Sequence, residues 1–172
     1  MRQVKIISRF LFYISRFLAV LYLLTTAYAA ISLLTKWSLE ITDNGQRFKI
    51  MYPFTKSGFL LGDYNPGYIL FNFLLPLGFY GLFFLLLSQV FKVFYQPKLF
   101  TEKGVKHLKS FYLVNMMVLP LIILGSGLFA EKTEEGLDIA AVIHFILGVF
   151  AFFLAAIFRQ GLKLQNDNDL II

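Results

Sequence analysis

The sequence contains no cysteine, one tryptophan and two histidines. Without cysteine there is no disulfide framework, no thiolate nucleophile and no Cys-ligated metal site. Charge is scarce too. Asp, Glu, Lys and Arg make up 15% of the 172 residues, against roughly a quarter in a soluble domain. There is no Gly-rich phosphate loop, no HExxH pair and no Ser/His/Asp set at a catalytic spacing. These absences lead to the expectation that the chain is not an enzyme and carries no metal or cofactor.

What is present is apolar. Hydrophobic residues make up 58% of the chain and aromatic residues 18%, with 21 phenylalanines. The charges fall between long apolar runs, which places the chain in the membrane class. The net charge of +6 then reports orientation, because basic residues accumulate on the cytoplasmic side of spans. It does not imply direct nucleic-acid binding.

Residues 1–16 carry Arg2, Lys5, Arg9 and Arg16 on one helical face, a basic amphipathic lead-in suited to anionic headgroups or, less simply, to a partner. The first span is expected over 17–37, ending at Trp37 near the far interface. Ala27-Tyr28-Ala29 resembles a signal cleavage site, but the apolar run continues past it, so a retained span is expected. Residues 38–66 hold a hairpin. Asn44-Gly45 is a type I′ turn signal. A two-residue loop there pairs Leu39 with Ile50, Glu40 with Lys49, Ile41 with Phe48 and Thr42 with Arg47. The remainder of this stretch, rich in Pro and Gly, reads as irregular. An isolated hairpin is marginal in water, so its apolar face should lie on the helix ends or on that following segment.

The second span covers 68–95, with Pro76 as an expected kink that either serves as a hinge or is a static feature. Residues 96–106 form a basic connection. Together with the flanking residues, the stretch from Val90 to Ser110 carries Lys92, Lys98, Lys103, Lys106 and Lys109 against one acid, Glu102. Thr101 is the expected N-cap of the third span, 107–129. Lys103, Lys106 and Lys109 form a stripe for anionic headgroups, or for an acidic cytosolic partner. An acidic outer loop, 130–138, leads to the fourth span, 139–158, and a cytoplasmic tail, 159–172. Most basic residues then lie on one side. The sequence therefore predicts an all-α integral membrane protein. Four transmembrane helices carry a small extracytoplasmic β-hairpin between the first and second, and both termini are cytoplasmic.

Two groups of residues are candidates for function. His144 is an ionisable side chain well inside a span, and such groups invite a functional reading. Asn72 and Asn115 are expected to meet it across helices in one intramembrane polar cluster. With no second ionisable group to relay a proton, interhelical bonding is the simpler role. His107, among lysines at the interface, is expected to be solvated. The second group is the possible partner-binding surface: Lys103, Lys106, Lys109, Arg159, Asp167, Asp169 and Leu170. The tail is apolar at its end and acidic before it, so it is expected to dock on the lysine stripe or to fray.

The closing segment, AAIFRQGLKLQNDNDLII, resembles that of the bacterial membrane-protein family known as domain of unknown function 2975. That family typically ends in Arg-x-Gly-x-x-Leu-Gln, acidic and Asn residues, and a short apolar end. The matching residues are Arg159, Gly161, Leu164, Gln165, Asn168, Asp169 and Leu170. Ile171 stands where the family often has Thr. The connection is also similar, through Phe100, Thr101, Glu102 and Leu108. The resemblance spans nearly the whole chain. It implies a four-helix protein of the bacterial cytoplasmic membrane with no established enzymatic activity. Members are often encoded beside a small helix-turn-helix regulator, which implies a cytosolic partner. The alternative from the residues themselves is small-molecule or lipid sensing or transport through a cavity near Pro76, Asn115 and His144.

Overall fold

The computed structural model of the chain describes residues 2–130 and 135–169. Helix α1 runs unbroken over Arg2–Thr35, so the basic lead-in and the first span are one rod. A three-stranded antiparallel sheet follows: β1 (Leu39–Thr42), β2 (Arg47–Met51) and β3 (Gly58–Asp63), in the order β1-β2-β3. A π-helical segment, Tyr68–Leu74, leads directly into α2 (Leu75–Tyr95). Helices α3 (Glu102–Phe129) and α4 (Leu137–Asp169) complete the chain. All four helical rods are long and apolar enough to span a membrane. Large apolar side chains such as Phe17, Leu24, Leu121, Leu124, Ile143 and Phe150 stand exposed on them. That is the surface of a multi-pass membrane protein, since apolar side chains lose nothing by facing lipid tails.

The hairpin has the expected register, with Leu39, Glu40, Ile41 and Thr42 opposite Ile50, Lys49, Phe48 and Arg47. Asn44 (φ 54°, ψ 32°) and Gly45 (φ 91°) both have positive φ, and the Gln46 N–H donates to the Asp43 carbonyl at 3.1 Å. This is the left-handed pair that a type I′ turn requires. Phe48 and Ile50 are fully buried, in a cluster that includes Ala29 and Leu33 of α1, and Tyr68, Ile69 and Phe73 of the π-helix. Tyr28 ties α1 to the sheet by donating its hydroxyl to the Met51 carbonyl at 2.6 Å.

Strand β3 corrects the expectation of an irregular segment after the hairpin. It makes β2 the central strand, with a register shift at Ile50/Met51. Its glycines hid it, and one of them explains the packing. A Cβ at Gly62 would lie 2.7 Å from the Phe48 ring and 2.9 Å from that of Tyr68. Glycine there leaves the room that the Phe48 ring occupies against β3.

Pro76 acts through the segment before it. A proline offers no N–H to the carbonyl four residues back, and its ring collides with that carbonyl. The chain widens instead: the Leu75 N–H donates to the Leu70 carbonyl, five residues back. Proline then sits where the α-helical repeat begins, inside a rod that is helical from Tyr68 to Tyr95. Pro120, by contrast, lies inside α3.

The helices pair in sequence order. α1 packs most closely on α2, and α3 on α4. Glycines allow the approach. A Cβ at Gly81 of α2 would lie 3.3 Å from the Leu23 backbone nitrogen, and one at Gly148 of α4 would lie 3.2 Å from the Tyr112 carbonyl oxygen. The main core joins α2, α3 and α4 through Phe79, Phe83, Leu108, Phe111, Leu119 and Phe158.

Gly45→Val places a β-branched residue at φ 91° with open space around it. The strain alone should cost about 1–2 kcal/mol. Amide exchange across β1 and β2 should accelerate accordingly while exchange in α3 and α4 stays unchanged.

Candidate functional site

Two polar pairs lie inside the apolar helices. Asn115 is fully buried on α3, and its Nδ2 donates to the Phe111 carbonyl at 2.7 Å. That bond fixes the amide and turns Oδ1 toward α4, where it lies 2.7 Å from His144 Nδ1. An amide oxygen only accepts, so Nδ1 carries the proton. The imidazole stands edge-on among Phe79, Tyr80 and Phe83 of α2, with centroid distances of 4.9, 5.7 and 4.8 Å. His144 therefore links three helices at one level. Among the described residues no ion pair involves it, and no group of three His, Asp or Glu is placed to hold a metal ion. The geometry is that of an interhelical tie.

Asn72 is not part of that cluster. It lies in the π-helix, and its Oδ1 accepts from Ser126 Oγ at 2.6 Å. Ser126 is about 16 Å further along α3 than Asn115, at 1.5 Å per residue. Because α2 and α3 run in opposite directions, the start of the second rod faces the end of α3. The expected trio is thus two separate ties. The same corner is closed by backbone contact. Gly67 lies against the Phe129 carbonyl with no room for a Cβ, and the Phe71 ring covers Gly125 and stacks on Phe129 at 5.5 Å.

At the opposite end lies the basic connection. Thr101 caps α3 as expected, its Oγ1 accepting the Gly104 N–H at 3.0 Å. Lys103, Lys106 and Lys109 are exposed along the first turns of α3. Residues 159–169 are not a separate tail, because α4 continues through them as helix. Phe100 of the connection packs edge-on against Phe158 at 5.3 Å, and a Cβ at Gly161 would lie 2.7 Å from the Phe100 ring. Beyond this contact Arg159, Lys163, Leu164 and Asp167 are exposed.

Over its described residues α4 does not turn back on the lysine stripe, and the docking expected of residues 170–172 falls outside the described residues. Gly161 is level with Phe100, so Lys103 is level with about residue 158. The helix carries Asp167 about 14 Å past that level, and among the described residues Asp167 makes no ion pair. The polar composition after residue 158 read as a tail, but helix propagation adds a hydrogen bond for each residue fixed. Leu170 and the side chain of Asp169 lie outside the described residues.

The Phe100 contact joins the two stretches whose sequences carry the family resemblance. The family model described as protein of unknown function, DUF2975, matches residues 9–172. The chain belongs to the DUF2975 family. No curated protein and no solved structure matches it. In this DUF2975 chain the Arg-x-Gly-x-x-Leu-Gln stretch is helical. Its glycine is the seat of Phe100, while Arg159 and Leu164 face outward.

The tie between α3 and α4 is testable by a double-mutant cycle. Asn115→Leu leaves His144 Nδ1 buried without an acceptor, and His144→Phe leaves the Asn115 oxygen without a donor. Each should lower thermal stability in detergent. The double variant should lose less than the sum, by about 0.6–1.7 kcal/mol. Strict additivity would show that the pair contributes nothing.

Proposed function

We propose that this DUF2975 chain is a non-enzymatic protein of the bacterial cytoplasmic membrane that holds a cytosolic protein at the end opposite the sheet. The family resemblance points to a helix-turn-helix regulator as that partner. The observation that carries the reading is the extension of α4 beyond the Phe100 contact. It presents Lys163, Asp167 and a Leu164 that is 65% exposed, beside the basic connection. A charged helix carrying an outward leucine past the bundle offers a partner both an apolar anchor and a charged rim.

The orientation follows from charge. The first residues of α1, the α2–α3 connection and the end of α4 lie at one end of the rods, and Arg2, Lys5, Arg9, Lys92, Lys98, Arg159 and Lys163 lie there with the lysine stripe. Basic ends stay inside, which puts both termini in the cytoplasm and the sheet outside. The cavity needed for sensing or transport has less support. Concavities of about 380–510 Å³ lie at the two ends and on the flanks of the rods, and neither Asn115 nor His144 lines any of these.

Cysteines introduced singly test the orientation: Asn44→Cys should react with a membrane-impermeant maleimide on intact cells, and Lys98→Cys should not. The reverse pattern inverts the topology. For the partner, the probe is a helix-turn-helix protein encoded beside this chain's gene, the kind of neighbour that the family resemblance implies. Its recovery on tagged chain should fall about tenfold with Leu164→Asp, since burial of one leucine is worth about 1.5–3 kcal/mol. Deleting residues 162–172 should abolish recovery while the chain's own level in the membrane stays the same. Recovery unchanged by both would overturn the reading.

A further inference from the structure

The corner between α2 and α3 encloses a cleft of about 510 Å³. Lys92 comes from the last turn of α2, Lys98 from the connection, and Lys103 and His107 from the first two turns of α3. Gln96 and Thr101 add polar atoms, and Val93, Pro97 and Gly104 supply apolar wall. No acid lines it, and among the described residues none of the three lysines is in an ion pair. Three cations gathered around one concavity repel each other, so an arrangement without a carboxylate is stabilised by whatever anion enters.

The wall of the cleft also holds His107. Its ring was expected to be solvated, yet Nε2 is buried and has no hydrogen-bond partner. Native proteins leave few buried polar groups unsatisfied, and each one costs about 1–3 kcal/mol. His107 lines the cleft with Nε2 itself enclosed, so the imidazole sits in the wall as a reporter of what enters and does not itself bind it. Helix α3 adds its positive end. Thr101 takes the Gly104 N–H, and the earlier N–H groups of the first turn have no partner within the helix.

We propose that this cleft binds a phosphate monoester. Tetrahedral phosphate oxygens accept several donors at once, and a dianion answers three ammonium groups better than a carboxylate does. The volume is that of a small-ligand site, so the phosphate arrives with a substituent, which lies along Val93 and Pro97. The same group has two sources. One is a phosphatidic-acid headgroup reaching in from the bilayer, and the other is a soluble phosphorylated metabolite. This site goes beyond the partner reading and stands or falls without it.

The test uses the full chain in phosphatidylcholine nanodiscs, following the imidazole nitrogen NMR signals of His107 and His144. Glycerol 3-phosphate is titrated in one arm. Phosphatidic acid is incorporated in the other, with phosphatidylglycerol, a diester, as the control lipid. A saturable change at His107 and none at His144 is expected in one arm. Response to glycerol 3-phosphate assigns the soluble source, and response to phosphatidic acid alone assigns the headgroup. Lys98→Ala with Lys103→Ala, both at exposed lysines, should weaken binding at least tenfold, at about one decade per 1.4 kcal/mol. No saturable change in either arm overturns the site. So does an equal response to both lipids that disappears at high salt, which would be charge attraction without a built site. Loss of a protein partner from the double-lysine variant, with no phosphate response in the parent, would assign the cleft to that partner and also overturn it.

Discussion

A chain with so little polar surface has to settle its hydrogen bonds within itself, and that constraint shapes each of its helices. Hydroxyls turn back on their own rods: Thr26 donates to the Tyr22 carbonyl at 2.7 Å and Ser88 to the Leu85 carbonyl at 2.6 Å. Amides and the imidazole reach across, in the Asn115–His144 and Asn72–Ser126 pairs. Ahead of Pro76, which has no N–H to give, the backbone changes its repeat and the Leu75 N–H reaches the Leu70 carbonyl. In an apolar surrounding each unanswered group costs several kcal/mol. The local solutions are therefore as much a part of the fold as the apolar contacts. Two buried side-chain atoms, Ser32 Oγ and His107 Nε2, lack a partner among the described residues, and His107 lies in the wall of the basic cleft.

Between the rods, attraction comes from close approach, since lipid tails are as apolar as leucine. The buried face of α1 includes Ser8, Ser15, Ala19, Ala29 and Ser32. These small residues let α1 lie near α2, where Gly81 meets Leu23. Larger rings fill the spaces left between α2, α3 and α4. Phe79, Phe83 and Phe111 build around His144, and Phe94, Phe100 and Phe158 close the basic end.

Much of this was legible in the sequence. The Asn-Gly turn fixed a register that agrees residue by residue, because a two-residue loop leaves one alignment and the apolar pairs chose the same one. Thr101 and Glu102 marked the start of α3. The apolar runs gave four rods. Other features were hidden for physical reasons. Strand β3 carries Gly58 and Gly62, which look like breakers until the Phe48 ring above Gly62 is seen. The helical end of α4 is made mostly of polar residues after Phe158, so its composition resembles a loose tail. Asn72 was grouped with Asn115 because both are amides in apolar runs, and only the antiparallel offset of the rods separates them. His107 sits among lysines in sequence, and no pattern there tells that one ring nitrogen is enclosed.

The pairing of the rods bears on how the chain is made. α1 closes on α2 across the sheet, and α3 closes on α4 across residues 130–136, so each rod pairs with the next in sequence. The contacts of the second pair are the more local, and local contacts form fast. During synthesis the amino-terminal pair, with the sheet seated on it, can be complete before the carboxy-terminal pair has emerged, as units generally fold in order from the first. What then remains is to join two finished halves. That seam is sealed on one side by Gly67 against Phe129 and by Asn72 with Ser126, and on the other by the turn of lysines between α2 and α3. Errors that spare each half but spoil those corners would leave a protein correctly threaded and wrongly closed.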